Sequence, residues 1–120
     1  MDKQTDKGYK IAAATSDGIV VNSHFGWATQ FYIYQVDKGK AELVEIRKTE
    51  HVCQGGYHDD SRLKEQITKL SDCRYVLVSR IGEGAAGQME AAGIEPIEVP
   101  DMLPKAIEKV LLLEKIKHLF

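Results

Sequence analysis

Two cysteines, Cys53 and Cys73, and four histidines, His24, His51, His58 and His118, are the thiol and imidazole groups of this 120-residue chain. No pair of them falls at a spacing that defines a zinc site, such as C-x₂-C with a matching partner. Two cysteines do not make a disulfide framework, and in a reducing compartment they are free thiols or metal ligands. Any metal bound here is therefore held by a site that the fold assembles, or sits in a cluster that brings most of its own ligands.

Three segments could supply such a site. In Asn22-Ser23-His24-Phe25-Gly26-Trp27-Ala28, Gly26 permits a backbone turn that other residues resist. Phe25 and Trp27 can then anchor the loop while His24 faces outward. A neutral imidazole is a good ligand for iron, molybdenum or copper, although a histidine in a loop can equally cap a turn or face solvent. The second segment, His51 to Tyr57, reads as a loop in which Cys53 offers a soft thiolate. Its Gly55-Gly56 pair would let a bulky group approach the backbone. Cys73 directly precedes an apolar run, where a free cysteine behaves as a small hydrophobe. The third segment, Gly82-Glu83-Gly84-Ala85-Ala86-Gly87, matches G-x-G-x-x-G after a strand. The helix that follows closes at Gly93 after barely two turns, and the strand before it follows a meander, so the dinucleotide context is wrong. Backbone N–H groups at a helix start still favour an anion. His58-Asp59-Asp60 reads as a helix opening, with its carboxylates as dipole partners.

The elements that must position these residues alternate in type. After a polar arm, residues 1–8, Tyr9 to Thr15 is a short buried strand, Ser16-Asp17-Gly18 a turn, and Ile19 to Val21 a second short β-segment. Gln30 to Val36 is aromatic and β-branched, a strand. Asp37-Lys38-Gly39-Lys40 turns it into a partner at Ala41 to Arg47. The second half changes period. A helix starts at Asp59 or Asp60, with Leu63, Ile67 and Leu70 on one face. Arg74 to Arg80 is a buried strand, Glu83 to Ala92 an alanine-rich helix closed by Gly93, and Ile94 to Val99 an edge strand containing Pro96. Asp101 caps a last helix reaching about Leu119. Strand–helix–strand–helix order implies parallel strands with right-handed crossovers. Joined to the meander, they make a mixed five-stranded sheet with helices on its faces, in one domain from residue 9 to 120.

Composition narrows the functional classes. A net charge of −2 carries no electrostatic footprint for nucleic acid. The longest apolar cluster, Val110-Leu111-Leu112-Leu113, is flanked by Lys109 and Glu114 and cannot span a bilayer. The polar start lacks a signal-peptide core, which points to the cytoplasm.

Ala12-Ala13-Ala14-Thr15-Ser16-Asp17-Gly18, then Val21 to Ala28, then Phe31-Tyr32-Ile33-Tyr34, resembles the opening of the dinitrogenase iron–molybdenum cofactor biosynthesis family. That family includes NifX-type carriers and the C-terminal domain of NifB-type synthases. The resemblance continues through Cys53-Gln54-Gly55-Gly56, Leu70-Ser71-Asp72-Cys73, Ile81-Gly82-Glu83-Gly84-Ala85 and Gly93-Ile94-Glu95-Pro96. Its most specific element is His-Phe-Gly in order with the later cysteine and Ile-Gly elements. It implies a ribonuclease-H-like three-layer α/β fold, and that His24 touches a metal–sulfur cofactor or its precursor.

The reading that results is a non-catalytic carrier of a metal–sulfur cluster. The cargo is iron–molybdenum cofactor, its precursor, or a molybdenum–copper sulfide. His24 and Cys53 are the candidate metal ligands, with Phe25, Gly26, Gly82 and Gly84 around the cluster. The three-cysteine motif of the synthase's radical chemistry is absent from this sequence. Nuclease chemistry would need converging carboxylates, and neither Tyr9–Thr15 nor Arg74–Arg80 carries one. The expected partners are metallocluster donor or acceptor proteins, with the chain a monomer or weak homodimer. The competing reading is a cluster-free interaction module, its last helix offering Leu112 and Leu113 to a partner.

Overall fold

A computed structural model describes residues 8–49, 53–54, 57–58 and 60–119, with 53–54, 57–58 and 60 described by their backbone. In chain order the elements are β1 (Tyr9–Ala14), a 3₁₀ turn (Phe25–Trp27), β2 (Gln30–Asp37), β3 (Lys40–Lys48), β4 (Cys53–Gln54) and β5 (Tyr57–His58), followed by α1 (Asp60–Lys69), β6 (Tyr75–Val78), α2 (Glu83–Ala91), β7 (Glu95–Glu98) and α3 (Leu103–Lys117). Five strands form one sheet in the order β3-β2-β1-β6-β7. The meander β1-β2-β3 is antiparallel, while β6 runs parallel to β1 and β7 parallel to β6. Pro96 lies in β7, an edge strand, where a missing N–H costs no interior ladder bond.

The central strands are apolar at consecutive positions because both faces of the sheet are covered. Ala12, Ala14, Val76 and Val78 face a core completed by Leu63, Ile67 and Leu70 and by Met89. Ile11, Ala13, Tyr75 and Leu77 face the other way, into a core with Leu103, Ala106, Ile107 and Val110 of α3. The result is three layers, α1 and α2 on one face and α3 on the other. Among the described residues no helix is long and apolar enough to cross a membrane.

Gly93 ends α2 with φ +84°. Ile94 N–H donates to the Met89 carbonyl at 2.9 Å and Gly93 N–H to that of Glu90 at 3.0 Å, the paired bonds of a Schellman cap.

Several boundaries differ from the sequence expectation, each for a local reason. Ile19–Val21 makes no ladder, only an isolated bridge from Val20 to Met102. The Asp17 carboxylate takes the N–H groups of Ile19 and Val20 at 2.8 and 3.1 Å, and the Asp101 carbonyl takes that of Val21 at 2.9 Å. A side chain that satisfies backbone donors locally competes with strand pairing. The segment expected as a loop carries the β4–β5 ladder, which pairs Cys53 with His58 and Gln54 with Tyr57. The two residues between those strands are Gly-Gly, a dipeptide suited to two-residue hairpins. His58 is accordingly a strand residue and α1 opens at Asp60. Asp101 stands one residue before the cap: Met102 is the N-cap of α3, and Asp101 accepts the Met102 N–H at 2.8 Å. Pro104 in the first turn of α3 needs no intrahelical donor there. The expected arm lies outside the described residues except for Gly8.

The exposed meander edge is tied to the helical half by one side chain. Arg47 of β3 donates to both carboxylate oxygens of Asp72, at 2.8 and 2.7 Å, and to the Lys69 carbonyl at 2.7 Å. Chiefly through these bonds, the guanidinium holds the Asp72 carboxyl down at about 2, from 3.8. A depressed folded pKa contributes stability above the unfolded value that is lost as pH falls through the folded one. Asp72 is about half exposed, with 47% of its side-chain surface accessible, so solvent screening keeps the pair small. Asp72→Asn is expected to lower stability by about 1 kcal/mol or less at pH 7. In urea titrations the gap to the parent should close between pH 4 and pH 2. A gap that persisted at pH 2 would mean the ion pair is not its source.

Candidate functional site

The parallel strands β1, β6 and β7 end together, and ligands of open α/β sheets gather outside such carboxyl ends. There the chain leaving β1 returns beside the extension of β6. Ser23 N–H donates to the Ala14 carbonyl at 3.4 Å, Ser79 N–H to Ser23 at 3.0 Å, and Phe25 N–H to Arg80 at 2.8 Å. His24 and Arg80 thus form a parallel bridge, and neighbouring strands point such paired residues to the same face. Below them Phe25 is buried in the α1/α2 core, tilted against Phe31 at 6.3 Å between ring centroids. Phe25 is therefore the anchor that lets His24 stay exposed.

His24, Phe25, Gly26 and Trp27 line one side of a cleft of about 250 Å³, with Leu63, Arg80, Ile81, Gly82, Gly84 and Ala85 completing it. Five of the six residues expected around a ligand, His24, Phe25, Gly26, Gly82 and Gly84, are thus brought together. Trp27 departs from its expected anchoring role: it is 51% exposed and forms part of the cleft wall. Gly26 sits in the 3₁₀ turn and is not among the positive-φ glycines, which are Gly18, Gly39 and Gly93. Its backbone angle is one that other residues adopt. Gly82 and Gly84 are likewise outside that set, and an added Cβ at either would meet nothing within 4 Å. Neither packing nor φ requires glycine at these two places, and both leave the cleft open.

His24 is exposed and its imidazole has no hydrogen bond or ion pair among the described residues. Arg80 was not picked out from the sequence, although its place at the carboxyl end of the buried β6 was a usable signal. It too is exposed, and its guanidinium has no partner among the described residues. The start of α2 adds partial positive charge, since its N-cap Gly82 has no side chain to cap the first N–H groups. Two acids lie close in sequence or space. Glu83 is in the first turn of α2, and Glu98 accepts the Ile81 N–H at 2.9 Å. Neither lines the cleft.

Cys53 is placed at the level of the backbone, opposite His58 in the β4–β5 ladder. His51 lies outside the described residues. Cys73 is a core residue, 3% exposed, and burial first, then the Asp72 charge, pushes its thiol up to about 12. A thiol that resists ionisation is a poor ligand and nucleophile, which agrees with its reading as a small hydrophobe. His118 lies at the far end of α3 beside Glu114, at 3.2 Å. Among the described residues no three His, Cys, Asp or Glu side chains converge as a metal centre.

A larger hollow of about 930 Å³ lies between α3 and the other end of β1, lined by Tyr9, Arg74, Glu114 and His118 among others. At its floor Glu114 accepts from Arg74 and Tyr75 and lies beside His118.

The profile of the family described as "Dinitrogenase iron-molybdenum cofactor" matches residues 7–113. The chain belongs to that family. Among its relatives is the FeMo cofactor biosynthesis protein NifB of Frankia alni, 43% identical over 103 residues, covering 83% of this chain and 20% of that protein. Protein NifX of Sinorhizobium fredii is 34% identical over 106 residues, covering 85% of this chain and 65% of that protein. The chain therefore spans about a fifth of the NifB sequence and just under two thirds of the NifX sequence. In fold it is similar to the crystal structure of PH0822, with TM-score 0.65 at 20% identity over 85% of this chain and 89% of that one. It is also similar to the solution structure of TM1290 from Thermotoga, with TM-score 0.53 at 23% identity over 83% and 84%. The NifX/NifB-like character expected from the His24-Phe25-Gly26 box is thus met across nearly the whole chain, within a family of iron–molybdenum cofactor biosynthesis.

The burial of Cys73 has a direct consequence. In native protein its alkylation by iodoacetamide, followed by peptide mass spectrometry, should be slower by orders of magnitude than in urea. Labelling at the unfolded rate would mean that the Leu70–Arg74 turn opens freely.

Proposed function

We propose that this protein binds a preformed metal–sulfide cluster as cargo and passes it on, without catalysing a reaction. The observation that carries the reading is the exposed, unengaged imidazole of His24 above a cleft left open by Gly26, Gly82 and Gly84. His24 would coordinate one metal of the cargo, and Cys53 would offer a second ligand from the β4–β5 ladder. Phe25 fixes the His24 loop, and the backbone N–H groups at Gly82 and Gly84 would face sulfide. The cargo is iron–molybdenum cofactor, its precursor, or a related molybdenum, iron or copper sulfide.

The dimensions favour transfer over permanent storage. At about 250 Å³ the cleft is below the roughly 300–1,000 Å³ of pockets that enclose small ligands. It would seat one face of a cluster and leave the rest for a donor or acceptor protein. Few ligands also keep release within reach, because each protein–metal bond must break on delivery. Names of relatives support the same direction: NifB is described as an FeMo cofactor biosynthesis protein, and NifX is the relative of closer length. A cytoplasmic setting suits oxygen-sensitive cargo.

A second reading, a cluster-free interaction module, is favoured by α3. Leu112, Ile116 and Leu119 at i, i+4, i+7 are 58%, 44% and 76% exposed. Sedimentation showing a tight dimer that takes up no cluster would favour it.

The central experiment is metal and sulfide analysis, with visible spectra, of anaerobically loaded parent and His24→Ala protein. Parent protein is expected to retain near-stoichiometric metal and sulfide and the variant to lose most of both. Equal retention would remove His24 from the site. Gly84→Leu separates binding from folding. With open space around Gly84 and a good helix former replacing glycine, stability should stay within about 1 kcal/mol. Cluster retention should nevertheless fall, since the new side chain fills the cleft; undiminished retention would place the cargo elsewhere.

A further inference from the structure

We propose that Arg80 is the charge-recognising residue of the cleft, selecting anionic metal–sulfide cargo before and independently of coordination by His24. The inference rests on the reading of the cleft as the cargo site and adds the class of cargo it accepts. Arg80 is fixed at its backbone, where its carbonyl receives the Phe25 N–H at 2.8 Å and its bridge to His24 directs both side chains to one face. Arg80 lines the cleft, and its guanidinium has no ion pair or hydrogen bond among the described residues. Four cations elsewhere on the fold are paired: Arg47 with Asp72 and Glu45, Arg74 with Glu114, Lys117 with Glu95 and Lys109 with Asp101.

Among the described residues no Asp or Glu lines the cleft, and Glu98 is turned to the Ile81 N–H. An arginine beside a ligand-capable imidazole, with no described carboxylate against it, sets a positive local field in a chain of net charge −2. The planar guanidinium offers five donors in a fork that two acceptors on one edge of an anion can share. A metal–sulfide cluster presents such edges as pairs of bridging or terminal sulfides. Cationic or neutral metal species would meet repulsion, or no attraction, at Arg80. The two residues therefore divide the work: Arg80 recognises charge, and His24 coordinates metal.

Tetrathiomolybdate, a coloured metal–sulfide dianion, is the probe. It is titrated anaerobically into the full chain and into Arg80→Gln, Arg80→Lys and His24→Ala, at low and at moderate ionic strength. The parent should bind it with an affinity that falls as salt rises. Arg80→Gln should weaken binding about tenfold at low salt, the loss of one charge-assisted contact, and should flatten the salt dependence. Arg80→Lys should keep the salt dependence and recover part of the affinity, because it retains the charge without the fork. His24→Ala should leave the salt dependence as in the parent. Binding by Arg80→Gln with parental affinity and salt dependence overturns the proposal, as does a parent that fails to bind the dianion. If Arg80→Gln is indifferent while His24→Ala still loses its loaded cluster, the carrier reading survives and Arg80 has no part in it. If neither substitution matters, both readings fall together.

Discussion

The site depends on a backbone junction: the segment Ser23–Phe25 laid alongside Ser79–Arg80 at the carboxyl end of β6. The bonds from Ser79 to Ser23 and from Phe25 to Arg80 continue the sheet past the point where β1 stops. Without that junction, His24 would sit on a free loop and its distance from Gly82 would vary with thermal motion. With it, the imidazole and the start of α2 are referred to the same rigid strand. Phe25 makes the junction energetically secure. It is 1% exposed in the core shared by β1, β2 and α1, and fully burying a side chain of that size is worth about 1.5–3 kcal/mol. A ring beneath the sheet end thus holds a histidine above it.

The same junction explains why the cleft is chemically sparse. Its described walls come from the loop after β1, the segment from β6 into α2, and Leu63 of α1, so apolar residues and glycines make up most of the lining. What polarity the described lining has comes from backbone N–H groups, one guanidinium and one imidazole. Two nearby carboxylates serve the backbone: Asp17 organises the turn after β1, and Glu98 holds the approach to α2.

How legible this was from sequence varied with the range of the forces involved. The buried strands and the Gly93 stop were readable because their signals are local: uninterrupted apolar runs, or a residue whose conformation no other type adopts easily. The His24 loop was readable through its combination of histidine, phenylalanine and glycine, and through the order of later elements. The false β-segment at Ile19–Val21 shows the limit. Its residues favour strands, yet Asp17 two positions earlier offered their N–H groups a nearer acceptor. Trp27 shows another. Two aromatics flanking Gly26 look equivalent in sequence, and only the direction of the 3₁₀ turn decides that Phe25 is buried and Trp27 is not. Arg80 was hidden for the opposite reason, since a charge that closes an apolar strand looks like ordinary punctuation until its lack of a partner is visible.

The chain matches a fifth of one relative and 65% of another, and its cleft is held by its own core. Both cleft walls come from segments that the core itself holds in place, one on Phe25 and the other on the Schellman-capped α2 packed through Met89. The cleft also opens at the ends of strands, away from α3 and its exposed leucines, so a partner could occupy that helix without closing it. Changes on the exposed face of α3 would therefore leave the geometry at the strand ends as it is.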